Sequence, residues 1–135
     1  MADSPPVSPY LTIRNAAAAI EFYKRAFDAV EEGRHMADDG KRIMHATLTI
    51  NGAPVMLSDE FPEHGGGRSP EALGDSPVAI SLSLPTREAV DDTHRRAVEN
   101  GAKSDMDPHD PFWGGRFAMI RDPFGHRWMF SSPHS

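Results

Sequence analysis

Three side chains of this 135-residue chain belong to types that bind or transform small organic molecules: His45, Trp113 and Arg116. An imidazole titrates near neutral pH, so His45 is a candidate catalytic base or hydrogen-bond donor to a ligand. An aromatic plane offers a stacking surface, and a guanidinium fork matches a carboxylate or phosphonate. Each has a plainer alternative: a histidine satisfied by neighbouring threonines, a loop anchor at Trp113, and a surface ion pair at Arg116.

The composition of the chain excludes several other classes of chemistry. The sequence has no cysteine, which rules out disulfides, thiolate metal sites and cysteine nucleophiles. A net charge of -6 disfavours nucleic acid and anionic membrane surfaces as partners. No apolar run approaches the roughly 18 residues of a membrane span, and residues 1–10 do not resemble a secretion signal. We therefore expect a cytoplasmic globular protein.

The elements that must position these side chains occur twice. Residues 11–26 (LTIRNAAAAIEFYKRA) and 82–97 (LSLPTREAVDDTHRRA) align without a gap, at an offset of 71 residues (82 minus 11). Each begins as a strand and continues through a capping residue, Asn15 or Thr86, into a helix whose last turn carries two basic residues. The pattern predicts a duplicated unit.

Turn signals complete each unit and indicate an α+β fold. Asn51-Gly52 is a two-residue hairpin signal, and residues 122–125 (DPFG) form a good four-residue turn. Each half therefore reads strand, helix, strand, strand, strand within one domain, 1–135. Module 1 covers about 5–60, a flexible linker 59–76, and module 2 about 77–132. The predicted strands span 7–13, 29–37, 42–50 and 53–58, then 77–84, 102–107, 115–121 and 126–131.

The alternation of residues along these strands separates two faces. In the third strand Met44, Ala46, Leu48 and Ile50 are expected to face a helix, and His45 the opposite side. The opposite sides together form a cup lined by hydroxyls, thioethers, a tyrosine and a histidine, with Arg127 also turned inward. Such a lining suits a small organic ligand. The predicted ligand contacts are Tyr10, His45, Met56, Ser81, Trp113, Arg116 and Met129.

From SPYLTIRNAAAAIEFYKRAF through MHATLTINGAPVMLSDEFPE to FWGGRFAMIRDPFGHRWMF, the chain resembles the vicinal oxygen chelate superfamily. That superfamily includes glyoxalase I, bleomycin resistance proteins and extradiol dioxygenases. Within it, the sequence most resembles the PhnB-like branch. The resemblance implies two βαβββ modules in a cupped half-barrel, with one helix per module on the outer sheet face. It also implies a homodimer and, in many members, a central divalent metal. Some PhnB-like proteins carry a methyltransferase label, but no glycine-rich nucleotide loop supports that chemistry here.

The positions at which metal-binding relatives hold their ligands fall on Ser8, Met56, Ala79 and Met129. One alcohol, two thioethers and a methyl group are poor donors for a hard divalent ion. We therefore expect no metal at the usual location and no other cofactor. A divalent metal held by unusual ligands, such as His45 and an acidic loop residue, is the alternative.

These observations predict a small-molecule-binding protein of the glyoxalase and bleomycin-resistance type, acting without the usual metal, as a homodimer. The alternative is a metal-dependent lyase, isomerase or dioxygenase of the same superfamily. The sequence leaves open the identity of the ligand. It also leaves open whether the two modules pair within one chain or across a dimer.

Overall fold

The computed structural model describes residues 7–133, so the predicted start of module 1 near residue 5 lies outside the described residues. Across that range no helix is both long and apolar enough to cross a membrane. The elements follow the predicted order, with a 3-10 turn at Pro62–His64. They are β1 (Tyr10–Ile13), α1 (Ala16–Phe27), β2 (Val30–Met36), β3 (Ile43–Ile50), β4 (Ala53–Asp59), α2 (Pro70–Leu73), β5 (Ala79–Ser83), α3 (Arg87–Glu99), β6 (Lys103–His109), β7 (Phe117–Arg121) and β8 (Arg127–Ser131).

The strands form two four-stranded sheets of identical topology. The strand orders are β1-β4-β3-β2 and β5-β8-β7-β6, and neither sheet closes into a barrel. In each sheet the first strand pairs in parallel with the last strand of its module, and the other pairs are antiparallel. The predicted duplication and the α+β class are therefore confirmed.

Local signals in the sequence have the predicted effects. The Asn15 side chain accepts a hydrogen bond from the Ala18 amide at 3.2 Å, and Thr86 accepts one from the Ala89 amide at 3.0 Å. Both satisfy amides at helix starts that have no partner inside the helix. Asn51 and Gly52 have φ angles of 53° and 80°, which is the geometry of the two-residue turn that matches strand twist.

The connector between the modules is more structured than predicted. The linker 59–76 was predicted to be flexible, but it contains the 3-10 turn and the short helix α2. Ser69 caps α2 by accepting from the Ala72 amide at 3.2 Å, and its hydroxyl donates to Glu60 at 2.8 Å. Sequence reasoning missed α2 because the Ser-Pro start signal lies in a glycine-rich segment too short for helical periodicity.

Two strand predictions need correction. The first strand was predicted to begin at residue 7, but Val7 is 87% exposed and regular pairing begins at Tyr10. Met44 was predicted to face a helix and is instead exposed, because the pairing between β2 and β3 is irregular at this point. Ile43 takes the buried position. Such a bulge reverses the side-chain alternation on one side of the irregularity.

The helix-facing sides of both sheets share one hydrophobic core. Helices α1 and α3 pack against each other, and aromatic residues of α1 reach into the second module. The ring of Trp128 on β8 lies 4.7 Å from that of Phe27 and 5.3 Å from that of Tyr23. A buried carboxylate adds a polar link, since Asp122 accepts from the Tyr23 hydroxyl at 2.6 Å and from the Trp128 indole at 2.9 Å. The two modules therefore share one core.

An exposed ion-pair cluster holds the connector against the first sheet. The Arg42 guanidinium donates to Glu63 and Asp39, and to the backbone carbonyl of Glu60. The hydrogen bond from Arg42 lowers the pKa of Glu63 from 4.5 to about 2. Because the folded-state pKa lies below the ordinary value, the contribution to stability is complete above pH 4.5 and is lost as the pH falls through about 2.

We expect Arg42→Gln to lower the melting temperature at pH 6, because it removes the donor shared by Glu63 and Asp39. The difference from wild type should shrink between about pH 4.5 and pH 2, and it should also shrink at high salt, since the cluster is exposed. Thermal melts across this pH range measure both effects. Lys41→Gln removes a neighbouring charge and is the control. A pH-independent difference for Arg42→Gln would contradict the ion-pair explanation.

Candidate functional site

The side of the first sheet that faces away from the helices carries polar side chains; we call it the first polar face. It includes Tyr10 on β1, Met56 on β4, and His45 and Thr47 on β3. Strand register places Tyr10 beside Met56 and Met56 beside Thr47, so these residues form one row across the sheet. The predicted contacts Tyr10, His45 and Met56 are therefore brought together.

Both ring nitrogens of His45 have partners within the first polar face. Nδ1 lies 3.1 Å from the Tyr10 hydroxyl, and Nε2 lies 3.2 Å from the Thr47 hydroxyl. A neutral imidazole has one donor and one acceptor, and each hydroxyl can play either role. The arrangement matches the alternative of a satisfied histidine. To act as a base His45 must exchange one of these partners for the ligand, and that role stays a prediction.

A shallow cavity of about 310 Å³ adjoins His45 at the outer edge of the first polar face. Its other lining residues are Glu32, Gly33, His35 and Thr47. His35 lies directly opposite His45 in the pairing of β2 with β3. This edge of the face therefore places two imidazoles and a carboxylate around one opening.

The corresponding side of the second sheet, the second polar face, carries a row of thioethers. Ser81 on β5 lies opposite Met129 on β8, Met129 opposite Met119 on β7, and Met119 opposite Met106 on β6. Met119 and Met129 are half-buried, and Ser81 and Met106 are exposed. Thioethers are polarizable and adapt to the shape of an apolar or aromatic ligand. The predicted contacts Ser81 and Met129 belong to this row.

A second row on the same face is cationic. Arg127 lies directly opposite Arg121, with Ala79 on one side and Lys103 on the other. The sequence indicated that Arg127 turns inward but missed Arg121 and Lys103. The signal that would have found Arg121 is the alternation along β7, in which Ala118 and Ile120 take the helix-facing side and Arg121 falls on the opposite side.

Trp113 and Arg116 lie in the loop before β7. The Trp113 ring is 51% exposed and meets the Phe117 ring edge to face at 5.9 Å, next to the second polar face. The Arg116 guanidinium donates to Asp91 at 2.9 Å and to Asp110 at 3.0 Å. An anionic ligand would have to replace one of these carboxylates. The geometry thus matches the ion-pair alternative for Arg116, and a role in binding stays a prediction.

The two polar faces do not cover each other within one chain. Tyr10 is 49% exposed and Ser81 is exposed, and they lie on β1 and β5, the edge strands of the two sheets. The cavity that does lie between the sheets, about 300 Å³, is lined by both edge strands and the connector rather than by Met56 or Met129. Both polar faces are therefore open in a single chain.

The positions at which metal-binding relatives hold their ligands do not suit a metal here. Met56 and Met129 offer only thioether sulfurs, Ala79 has no donor atom in its side chain, and Ser8 precedes β1. Among residues 7–133 no group of three histidine, aspartate or glutamate side chains is arranged to hold an ion. The donor set thus disagrees with a hard divalent metal at this location.

Comparison with known proteins agrees with this geometry. The sequence model of the Glyoxalase/Bleomycin resistance protein/Dioxygenase superfamily matches residues 7–130. An uncharacterized protein of Mycobacterium tuberculosis H37Rv is 45% identical over 131 residues, covering 96% of this chain and 75% of its own length. The match confirms the resemblance seen in the sequence.

Solved structures share the fold at lower identity. Protein PA1353 from Pseudomonas aeruginosa superposes with a TM-score of 0.78 at 24% identity, covering 98% of this chain and all of its own. The PhnB protein from Bacillus cereus superposes with a TM-score of 0.75 at 19% identity, covering 96% of this chain and all of its own.

Proposed function

Because the chain belongs to the Glyoxalase/Bleomycin resistance protein/Dioxygenase superfamily, we propose that it binds a small organic molecule in a cup completed by two copies of the chain. The observation that carries this proposal is the exposure of both polar faces in one chain. The helix-facing sides are already buried in a common core, and the polar faces are the sides of the two sheets that remain open to a ligand.

Pairing of the first polar face of one copy with the second polar face of another would build an enclosed site. Such a cup places Tyr10, His45 and Met56 opposite Ser81 and Met129, so that all inward predicted contacts surround one ligand. Enclosure matters because small-molecule sites typically bury most of the ligand surface. It would also cover the thioethers and aromatic rings that a single chain leaves open to water.

The proposal assigns recognition to side chains rather than to a metal. Tyr10 and Trp113 supply aromatic surface, thioethers supply an adaptable wall, and the Tyr10–His45–Thr47 chain supplies hydrogen bonds of either polarity. These groups can hold and orient a ligand with mixed apolar and polar parts.

Native mass spectrometry of protein purified gently and without chelator tests this proposal. We expect a dimer mass, and a dimer that retains small molecules which His45→Ala releases. A strictly monomeric chain at micromolar concentration would contradict the two-copy cup. If His45→Ala retains the same small molecules as the wild type, His45 has a structural role and does not contact the ligand.

Cross-linking tests which faces meet. Because the chain has no cysteine, single-cysteine variants label uniquely. We expect Thr47→Cys and Ser81→Cys chains, when mixed, to be joined by a short bismaleimide as heterodimers. Asp92→Cys, on the exposed surface of α3, is the matched control and should not join to either variant. Equal yields for all combinations would contradict the proposed pairing of faces.

The alternative function, a metal-dependent lyase, isomerase or dioxygenase, has one supporting observation. His35 and His45 lie opposite each other and share a cavity with Glu32, although the three side chains do not converge on one ion position in this structure. Elemental analysis of the same preparation decides between the two functions. A stoichiometric divalent metal that is lost in His45→Ala would favour the enzyme, and a metal content near zero in active binding protein would favour recognition alone.

A further inference from the structure

Two arginines of the second polar face are placed where they repel each other. Arg121 and Arg127 are directly opposite in the pairing of β7 with β8, and like charges at such positions are destabilising. The Nε atom of each is buried and has no hydrogen-bond partner among residues 7–133. Buried polar groups are nearly always paired, so two orphaned donors on one face call for an explanation.

Among residues 7–133, carboxylates of the protein form ion pairs with only one of these two arginines, Arg121, and only at long range. Arg121 lies 3.6 Å from Asp75 and 3.6 Å from Asp105, which is beyond hydrogen-bond distance. Within residues 7–133 Arg127 forms no ion pair and no side-chain hydrogen bond. Lys103 adds a third cation to the same row. Because the chain carries a net charge of -6, the shortfall is not a general scarcity of acidic residues.

The groups next to the arginines are apolar and adaptable. Met119 and Met129 lie on the same face two residues further along β7 and β8, about 7 Å from the arginine row. A further step reaches Phe117, whose ring contacts Trp113. A ligand that satisfies the arginines would therefore rest its remaining atoms on thioethers and then on aromatic rings.

We propose that Arg121 and Arg127 form the anion subsite of the cup, and that the ligand is a small organic oxyanion whose apolar body lies on Met119 and Met129. A carboxylate or phosphonate supplies acceptors in the planar arrangement that guanidinium forks match, and it would provide the half-buried Arg127 with the anionic partner that it lacks among residues 7–133. The inference rests on the proposed function, because it names the class of molecule that the same cup takes.

Titration calorimetry with three probes tests the subsite: benzoate, phenylphosphonate and the neutral analogue benzamide. We expect benzoate or phenylphosphonate to bind wild-type protein at least about tenfold more tightly than benzamide, and less tightly as salt rises. Arg127→Gln should weaken anion binding by roughly 10- to 100-fold while leaving benzamide unchanged. Arg34→Gln, which removes an arginine already paired with Glu31, is the matched control and should change neither.

The unliganded variants give a second readout. Because the arginines repel each other, Arg127→Gln should melt at or above the wild-type temperature without ligand and should lose the stabilisation that the anions give wild type. A variant that melts several degrees lower would mean that Arg127 is structural, and this would overturn the inference.

If neither benzoate nor phenylphosphonate binds more tightly than benzamide, the anion subsite is overturned but the proposed small-molecule cup is not. Binding of none of the probes at millimolar concentration also overturns the subsite. The two-copy cup itself is tested separately, by the native mass spectrometry and the cross-linking described above. A preference for phenylphosphonate over benzoate identifies a dianionic ligand, and the reverse identifies a carboxylate.

Discussion

Asp122→Asn is expected to destabilise the protein by about 2–4 kcal/mol. Asp122 is 3% exposed and accepts four hydrogen bonds. The Tyr23 hydroxyl and the Trp128 indole donate to one oxygen, and the backbone amides of Phe124 and His126 donate to the other. The asparagine side chain replaces one of the two carboxylate oxygens by an NH2 group. That group is a donor and would face the N–H or O–H donors that the oxygen accepted from. Urea unfolding of the two proteins measures the loss.

The partner of this carboxylate provides a graded comparison. Burial, reinforced by the Asp122 carboxylate, raises the pKa of Tyr23 well above its ordinary value, so the phenol remains a donor. Tyr23→Phe should therefore cost less than Asp122→Asn, about 1–2 kcal/mol, because it removes a single hydrogen bond. The double variant should cost less than the sum of the two changes, since the groups are in contact.

Asp38→Asn, at an exposed turn position, is the control for replacing an aspartate and should be nearly neutral. A loss for Asp122→Asn no larger than that of Asp38→Asn would show that the buried carboxylate does not hold the modules together. Because Asp122 connects α1 to the β7–β8 turn, its loss should also loosen the second polar face.

Gly115→Ala is expected to cost about 3–5 kcal/mol, through left-handed backbone strain and a collision. Gly115 has a φ angle of 78°, and a Cβ there would clash with the Ser132 carbonyl oxygen and lie 2.9 Å from that of Pro133. Ser132 and Pro133 directly follow β8. Their backbone cannot move aside without breaking the 3.0 Å hydrogen bond from the Ser132 amide to the Arg116 carbonyl. Urea unfolding measures the cost.

Gly52→Ala is the matched control for this change. Gly52 has nearly the same φ angle, 80°, but no atom lies within 4 Å of the position that a Cβ would take. It should therefore cost only the backbone term, about 1–2 kcal/mol. Equal losses at both positions would contradict the collision. Because Gly115 lies between Trp113 and Arg116, its replacement should also shift the Trp113 fluorescence.

Local patterns in the sequence were sufficient for the secondary structure and for much of the core. The capping residues Asn15 and Thr86, the Asn51-Gly52 turn, and the alternation that buries Trp128 and Phe130 depend on a residue and its near neighbours. Their conformational preferences hold whatever the rest of the chain does. The duplicated order of elements follows from them.

Only the tertiary structure decided how the candidate site is divided and what lines it. The bulge that exposes Met44 depends on how β2 pairs with β3, and α2 depends on a serine that contacts Glu60. The same applies to Asp122, which the sequence indicated only as a turn residue. Its link to Tyr23 joins groups 99 positions apart.

The two polar faces, which form the proposed site, depend on the same long-range information. Alternation assigns Arg127 to a face, but only the register of β7 against β8 places its charge opposite Arg121. Likewise, only the packing of α1 and α3 into one core leaves the two polar faces separate. Sequence periodicity specifies which side of a strand a residue occupies. The neighbour across the sheet, and the surface left open, are set by contacts between segments far apart in the chain.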